Sequence, residues 1–130
     1  RRELRMSDTF AWIFAAHALL FVVLGLYVIY LRITGEVGIG DGGNPQLKRA
    51  IRAHANFAEW IPIALMALGL AELRGVSEST IGILGGLLLL SRVGHAIGLN
   101  RSIGVSVGRT GGMTLMFIVM AVTTVMAALA

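Results

Sequence analysis

FAWIFAAHALLFVVLGLYVIYL, from Phe10 to Leu31, decides the fold, because these 22 residues contain no charged side chain. At about 1.5 Å of rise per residue, a helix of this length crosses a hydrocarbon core of about 30 Å. The stretch exceeds a signal-peptide core of about 7–15 residues, and no clear small-residue cleavage site follows it, so it reads as a retained span. The leading Arg1 to Arg5 precede Met6, which is itself a possible start.

Outward from this span, the composition repeats the message. The chain has 130 residues, of which 56% are hydrophobic and 14% charged, and its mean hydropathy is +0.81. A soluble domain could not hide so much apolar surface. The expected fold class is therefore all-α, a single integral membrane four-helix bundle over residues 1–130.

The helices are expected at about 10–31, 45–73, 81–99 and 111–130. Arg32 to Asn44 holds five glycines with Glu36 and Asp41, a composition that reads as a flexible polar loop. It lacks the Lys-Ser/Thr ending of a phosphate loop and the repeated acids of a calcium loop. Asn44-Pro45 supplies an N-cap and a first-turn proline for the second helix. Ser77 to Ser79 reads as the turn before the third, and Thr110 or Gly111 as the start of the fourth.

The formal charge of +4 comes from eleven basic and seven acidic residues placed between apolar runs. This is not the basic face interleaved with aromatics of a nucleic-acid binder, so nucleic acid is excluded as a partner. Without cysteine, the chain has no thiolate nucleophile of its own, and thiol chemistry must use a ligand's sulfur. Antiparallel spans put Arg32, Lys48, Arg49, Arg52, Arg101 and Arg109 on one side, against Arg1, Arg2, Arg5 and Arg74 on the other. The positive-inside rule makes the first side cytoplasmic.

Polar residues concentrate on that side. Arg52, Asn56 and Glu59 stand at i, i+4 and i+7, in a row on one helical face. Ionisable groups at membrane depth face a bundle interior or a wet cavity, so the row is a candidate site. Arg92 and His95, one turn apart on the third helix with Leu99 beyond, form its counterpart. A Glu59–Arg92 pair that merely neutralises two buried charges is the competing reading. Pro62 removes a hydrogen bond to the Ala58 carbonyl and should loosen the second helix beside the row.

Trp60 fits an interfacial anchor. His17 and His54 suit buried hydrogen bonds or interfacial positions, and no metal site is expected, because three histidines on three segments lack a ligand spacing. The six methionines read as core filling. Gly82-x-x-x-Gly86 and Gly94-x-x-x-Gly98 are spacings that allow close helix approach.

The run Arg52-Ala53-His54-Ala55-Asn56-Phe57-Ala58-Glu59-Trp60-Ile61-Pro62 resembles the MAPEG family, membrane-associated proteins in eicosanoid and glutathione metabolism, whose second helix carries R-A-x-x-N-x-x-E-Y-x-P. Gly40-Asp41-Gly42-Gly43 upstream and Arg92-Val93-Gly94-His95 downstream look most like the small bacterial members. The resemblance implies a homotrimer of four-span subunits in the bacterial inner membrane. Glutathione would be bound between subunits near the cytoplasmic side, and a lipophilic substrate would enter from the bilayer. On the family pattern, Arg52, Asn56 and Glu59 hold the charged ends of the tripeptide, and Arg92 and His95 line the site.

An arginine ahead of the fourth helix is the family's thiolate-stabilising residue. Arg109 matches it best, with Arg101 as the alternative, and Thr110 offers a hydroxyl beside it. Leu99 departs from the pattern, since well-characterised members usually carry tyrosine four residues after the position of His95.

The leading expectation is thus a glutathione-dependent transferase or peroxidase acting on lipophilic electrophiles. A non-catalytic assembly module would use the same polar row and glycine faces without thiol chemistry. A small transporter would need an acid in the first span, which Phe10–Leu31 lacks.

Overall fold

The structure, a computed structural model, describes residues 5–101 and 106–130. Four helices, α1 (Asp8–Thr34), α2 (Pro45–Leu73), α3 (Glu78–Arg101) and α4 (Val107–Leu129), account for nearly all of them, and there is no strand among the described residues. Each helix is long and apolar enough to cross a membrane. Arg1 and Arg2, which enter the charge comparison between the two sides, lie outside the described residues.

The helices run past the uncharged windows because their ends are polar. Ser7 Oγ accepts from the Phe10 N–H at 3.0 Å and starts α1 at Asp8. Asn44 Oδ1 accepts from the N–H groups of Gln46 and Leu47, fixing the start of α2 at Pro45 as the sequence predicts. Ser77 Oγ accepts from the Thr80 N–H, so Ser77 caps α3 and Ser79 lies inside it. Ser106 Oγ accepts from the Arg109 N–H at 3.2 Å and starts α4 at Val107, not at 111. A side-chain oxygen that satisfies one of a helix's free N–H groups adds a turn that hydropathy does not register.

The glycine-rich loop between α1 and α2 is tied down. Arg32 Nη1 donates to the carbonyls of Gly38 and Gly40, at 3.4 and 2.9 Å. Gly42 has φ +58°, and a Cβ there would stand 2.6 Å from Val37, so the turn requires glycine twice over.

The core lies chiefly where α2, α3 and α4 meet, around Phe57, Ile61, Leu68, Leu88, Met116 and Val119. Trp60 packs edge-to-face on Phe117 across the α2–α4 contact, with ring centroids 5.0 Å apart. By contrast α1 buries little within the chain, and Trp12, Leu19, Leu26 and Tyr30 are exposed to the surroundings that a bilayer would fill. His17 is buried, with Nδ1 2.8 Å from the Ile13 carbonyl, while His54 stacks on Phe21. The helix α2 continues through Pro62, and beside it an apolar cavity of about 660 Å³ opens between α1 and α2.

The closest helix approach, between α3 and α4, depends on glycine. A Cβ on Gly112 would lie 2.6 Å from the Ser91 carbonyl oxygen and 2.8 Å from the His95 nitrogen, and one on Gly98 would collide with the Gly108–Arg109 backbone. Of the two spaced pairs read from the sequence, Gly98 packs in this way, Gly82 touches Thr9, and Gly86 and Gly94 meet nothing within 4 Å. Gly112→Ala should therefore lower stability in detergent by about 1–3 kcal/mol through overpacking. Gly86→Ala should leave it unchanged or slightly raised. Thermal unfolding of the two variants beside the parent protein checks the contrast.

Candidate functional site

Where α2 begins and α3 ends, the helices leave a cavity of about 390 Å³. From α2 it is lined by Lys48, Arg49, Arg52 and Asn56, from α3 by His95 and Leu99, and from α4 by Arg109 and Met113. Lys48, Arg52 and Asn56 recur every fourth position and Arg49 stands three before Arg52, which places them on one helical face. Arg109 arrives because Ser106 caps α4 three residues earlier and because Gly98 and Gly108 let the two backbones touch. Its carbonyl oxygen lies 3.1 Å from His95 Nδ1, so that ring nitrogen carries the proton and donates.

Behind this wall stands Arg92, 2% exposed. Its Nη1 donates to Asn56 Oδ1 at 2.8 Å, its Nη2 to the Gly112 carbonyl at 3.1 Å, and its Nε to Ser91 Oγ at 3.3 Å. Ser91 Oγ in turn donates to the Leu88 carbonyl. One guanidinium thus joins α2, α3 and α4 through neutral acceptors. The hydrogen bond from Arg92 fixes the amide of Asn56 with its oxygen inward.

The pairing of charges differs from the one weighed from the sequence. Glu59 Oε1 lies 3.5 Å from Arg52 Nη1, an ion pair within α2 whose two side chains are each about half exposed. Arg92 has no carboxylate partner among the described residues. Glu59 does not line the cavity and reaches its margin only through Arg52.

Of the residues expected in a site, Arg52, Asn56, His95 and Arg109 come together around one space, and Arg92 supports Asn56 from behind. Arg101 is directed elsewhere, into a groove between α1 and α3 beside Leu20, Leu24 and Tyr27. Lys48 and Arg49, counted from the sequence among the basic residues of this side but not singled out as site residues, also line the cavity, their places four and three residues before Arg52 putting them on the same face. Arg49 Nε is buried without an acceptor. Four cationic side chains and one amide around a single opening suit a ligand with carboxylates, which accept charge-assisted hydrogen bonds from guanidinium groups.

Comparison with known proteins places the chain in a family. Residues 10–129 match the MAPEG family. Inner membrane protein YecN of Escherichia coli strain K12 is 38% identical over 81 residues, a match covering 62% of this chain and 62% of that protein. The protein of the same name from Escherichia coli O6:H1 matches to the same extent. The aligned region thus spans less than two thirds of these curated relatives.

Three substitutions separate the supporting residues from the exposed ones. Asn56→Leu removes an acceptor from a buried charged donor and should cost about 2–3 kcal/mol, while Arg92→Leu strands the acceptors on Asn56, Ser91 and Gly112 at about 1–3 kcal/mol. Arg52→Ala breaks only an exposed ion pair and should cost no more than about 1 kcal/mol. The order of thermal midpoints in detergent, with Arg52→Ala nearest the parent, is the check.

Proposed function

The chain belongs to the MAPEG family, and from that membership we propose that it is a membrane-embedded glutathione-binding protein, a transferase or peroxidase acting on lipophilic electrophiles. The observation that carries this reading is the cavity where Lys48, Arg49, Arg52 and Arg109 converge beside Asn56 and His95. Glutathione brings two carboxylates, one ammonium and one thiol, and a cationic pocket with a single acid at its edge complements that charge pattern.

Arg109 is the residue assigned to the thiol. A free thiol of pKa about 8.5 is only a few per cent thiolate at neutral pH. A guanidinium about 4 Å from the sulfur, at an effective dielectric constant of about 20, favours the anion by about 4 kcal/mol. That is enough to make the thiolate the dominant form. The sulfur then gives its electron pair to an electrophilic carbon presented from the bilayer side, whose leaving group departs with the bonding pair, or to a peroxide oxygen, breaking the O–O bond to release an alcohol and leave a sulfenic acid that a second glutathione thiol converts to disulfide and water. Leu99 supplies no hydroxyl here, so the thiolate relies on Arg109, with the Thr110 hydroxyl as a neighbour in the same turn.

The same reading makes the protein a homotrimer in a bacterial inner membrane, with the cavity toward the cytoplasm. The apolar cavity between α1 and α2 is a face that a neighbouring subunit can cover. Proton-coupled transport fits less well, because Glu59, the acid nearest the site, is already paired with Arg52. An assembly module without chemistry is the alternative that the experiment separates.

Millimolar glutathione should raise the thermal midpoint of the purified protein, by the equivalent of about 2.7 kcal/mol at a concentration a hundred times Kd. Arg109→Ala should keep most of that stabilisation and lose about 100-fold in the rate of conjugation to a dinitrophenyl halide, the scale of removing one positioned anion-stabilising group. Absence of any stabilisation in the parent protein would favour the assembly module.

A further inference from the structure

Between α1 and α3, at the basic end of the bundle, runs a groove of about 370 Å³ that shares no lining residue with the cationic cavity or with the apolar one. The two helices run in the same direction, and their register is fixed lower down, where Thr9 lies against Gly82 and Ile13 against Gly85. The same register sets Leu20 beside Val93 and Tyr27 beside Asn100. The lower part of the groove is therefore hydrocarbon. Leu24 and Ala96 are buried there, Leu20 is half-buried, and Val93 and Ile97 are exposed.

Its upper end is polar, closed by Tyr27, Asn100 and Arg101. Arg101 is exposed and has no carboxylate partner among the described residues. The Tyr27 hydroxyl oxygen accepts from Gln46 Nε2 at 2.8 Å, which leaves its own O–H free to donate. The Asn100 amide nitrogen is turned to the Ala96 carbonyl at 2.9 Å. A guanidinium and a phenol thus stand as donors at the head of an apolar channel.

We propose that this groove holds one anionic phospholipid, with the phosphate on Arg101 and Tyr27 and an acyl chain along Leu20, Leu24, Val93 and Ile97. Basic pockets between membrane helices capture anionic head groups in this way. The lengths agree. Leu20 and Tyr27 are seven residues apart, about 10 Å along the axis, which fits inside one leaflet's half of a hydrocarbon core of about 30 Å. A zwitterionic lipid would bring a cation of its own toward Arg101. A second copy of this chain, inserted the same way up, would bring its own basic end against this one, and like charges so placed repel. The site draws its occupant from the bilayer and does not depend on glutathione.

The full chain, purified in detergent and stripped of lipid, tests this by titration with dioleoyl phosphatidylglycerol and with dioleoyl phosphatidylcholine, bound lipid being counted by native mass spectrometry. The first phosphatidylglycerol per chain should bind about fivefold more tightly than phosphatidylcholine, the scale of one basic side chain acting on an anionic lipid. Arg101→Gln should abolish the preference, Arg101→Lys should keep most of it, and Tyr27→Phe should lower it about twofold. Arg74→Gln removes a cation at the opposite end and should leave the preference whole. Glycerol phosphate, a head group without chains, should not compete at the same concentration. Unchanged lipid-free thermal midpoints establish that the variants are folded.

Equal affinity of the parent protein for the two lipids overturns the assignment, as does an unaltered preference in Arg101→Gln. An equal loss in Arg74→Gln reduces the effect to unspecific charge attraction. Competition by glycerol phosphate makes the place an ion site with no seat for a chain. If Arg101→Gln changes the number of copies in the solubilised assembly and not its lipid content, a second copy covers the groove and the lipid does not.

Discussion

A positive charge held in the interior without an acid beside it is the constraint around which this bundle is arranged. Removing a guanidinium from water is costly unless every donor finds an acceptor. Each of the three Arg92 nitrogens finds one, in an amide oxygen from α2, a hydroxyl from its own helix and a backbone carbonyl from α4. The carbonyl is reachable only because Gly112 lets α4 lie against the Ser91–His95 turn. Neutral acceptors solve the hydrogen-bonding problem and leave the charge uncancelled, so its field adds to that of Arg52 and Arg109 across the neighbouring cavity. A single side chain thus locks three helices and makes the space beside them attractive to anions.

Much of this was legible in the sequence, and the parts that were not share a cause. Windows without charge revealed four spans because a bilayer demands apolar length from each. Helical periodicity put Arg52, Asn56 and Glu59 in a row. Periodicity does not say which neighbour a polar group chooses, and so Glu59 turned out to face Arg52 on its own helix instead of Arg92 on another. The start of α4 was misplaced because hydropathy follows lipid contact, whereas Ser106 begins the helix by capping it outside the apolar run. Ser106 itself was available as an N-cap candidate ahead of the apolar run, and it is that cap which carries Arg109 into the first helical turn beside His95.

Lys48 and Arg49 illustrate a different limit. In a linear reading they count as cytoplasmic-side charges that orient the chain, an explanation sufficient in itself. Only the packing of α2 against α3 and α4 shows that they share a cavity with Arg52 and Arg109. A topological signal and a binding wall can be the same residues, because the end of a membrane bundle that gathers basic side chains is also where a water-soluble anion can reach them.

Two openings of the chain divide along the same physical line. The one between α1 and α2 is walled by Phe10, Phe14, Phe57, Ile61 and Leu65 and lies within the apolar spans. The other lies where the helices begin and end and is walled by cations. No residue lines both. A reaction between a charged tripeptide and an apolar electrophile needs the reacting atoms to meet where the two solvents meet, since neither reactant is stable deep in the other's medium. The apolar side chains of the cationic cavity are Pro45, Leu99 and Met113. With Leu99 almost fully buried in the core, the wall there is hydrocarbon, and under the proposed glutathione reading it would face the electrophile and leave stabilisation of the sulfur to Arg109.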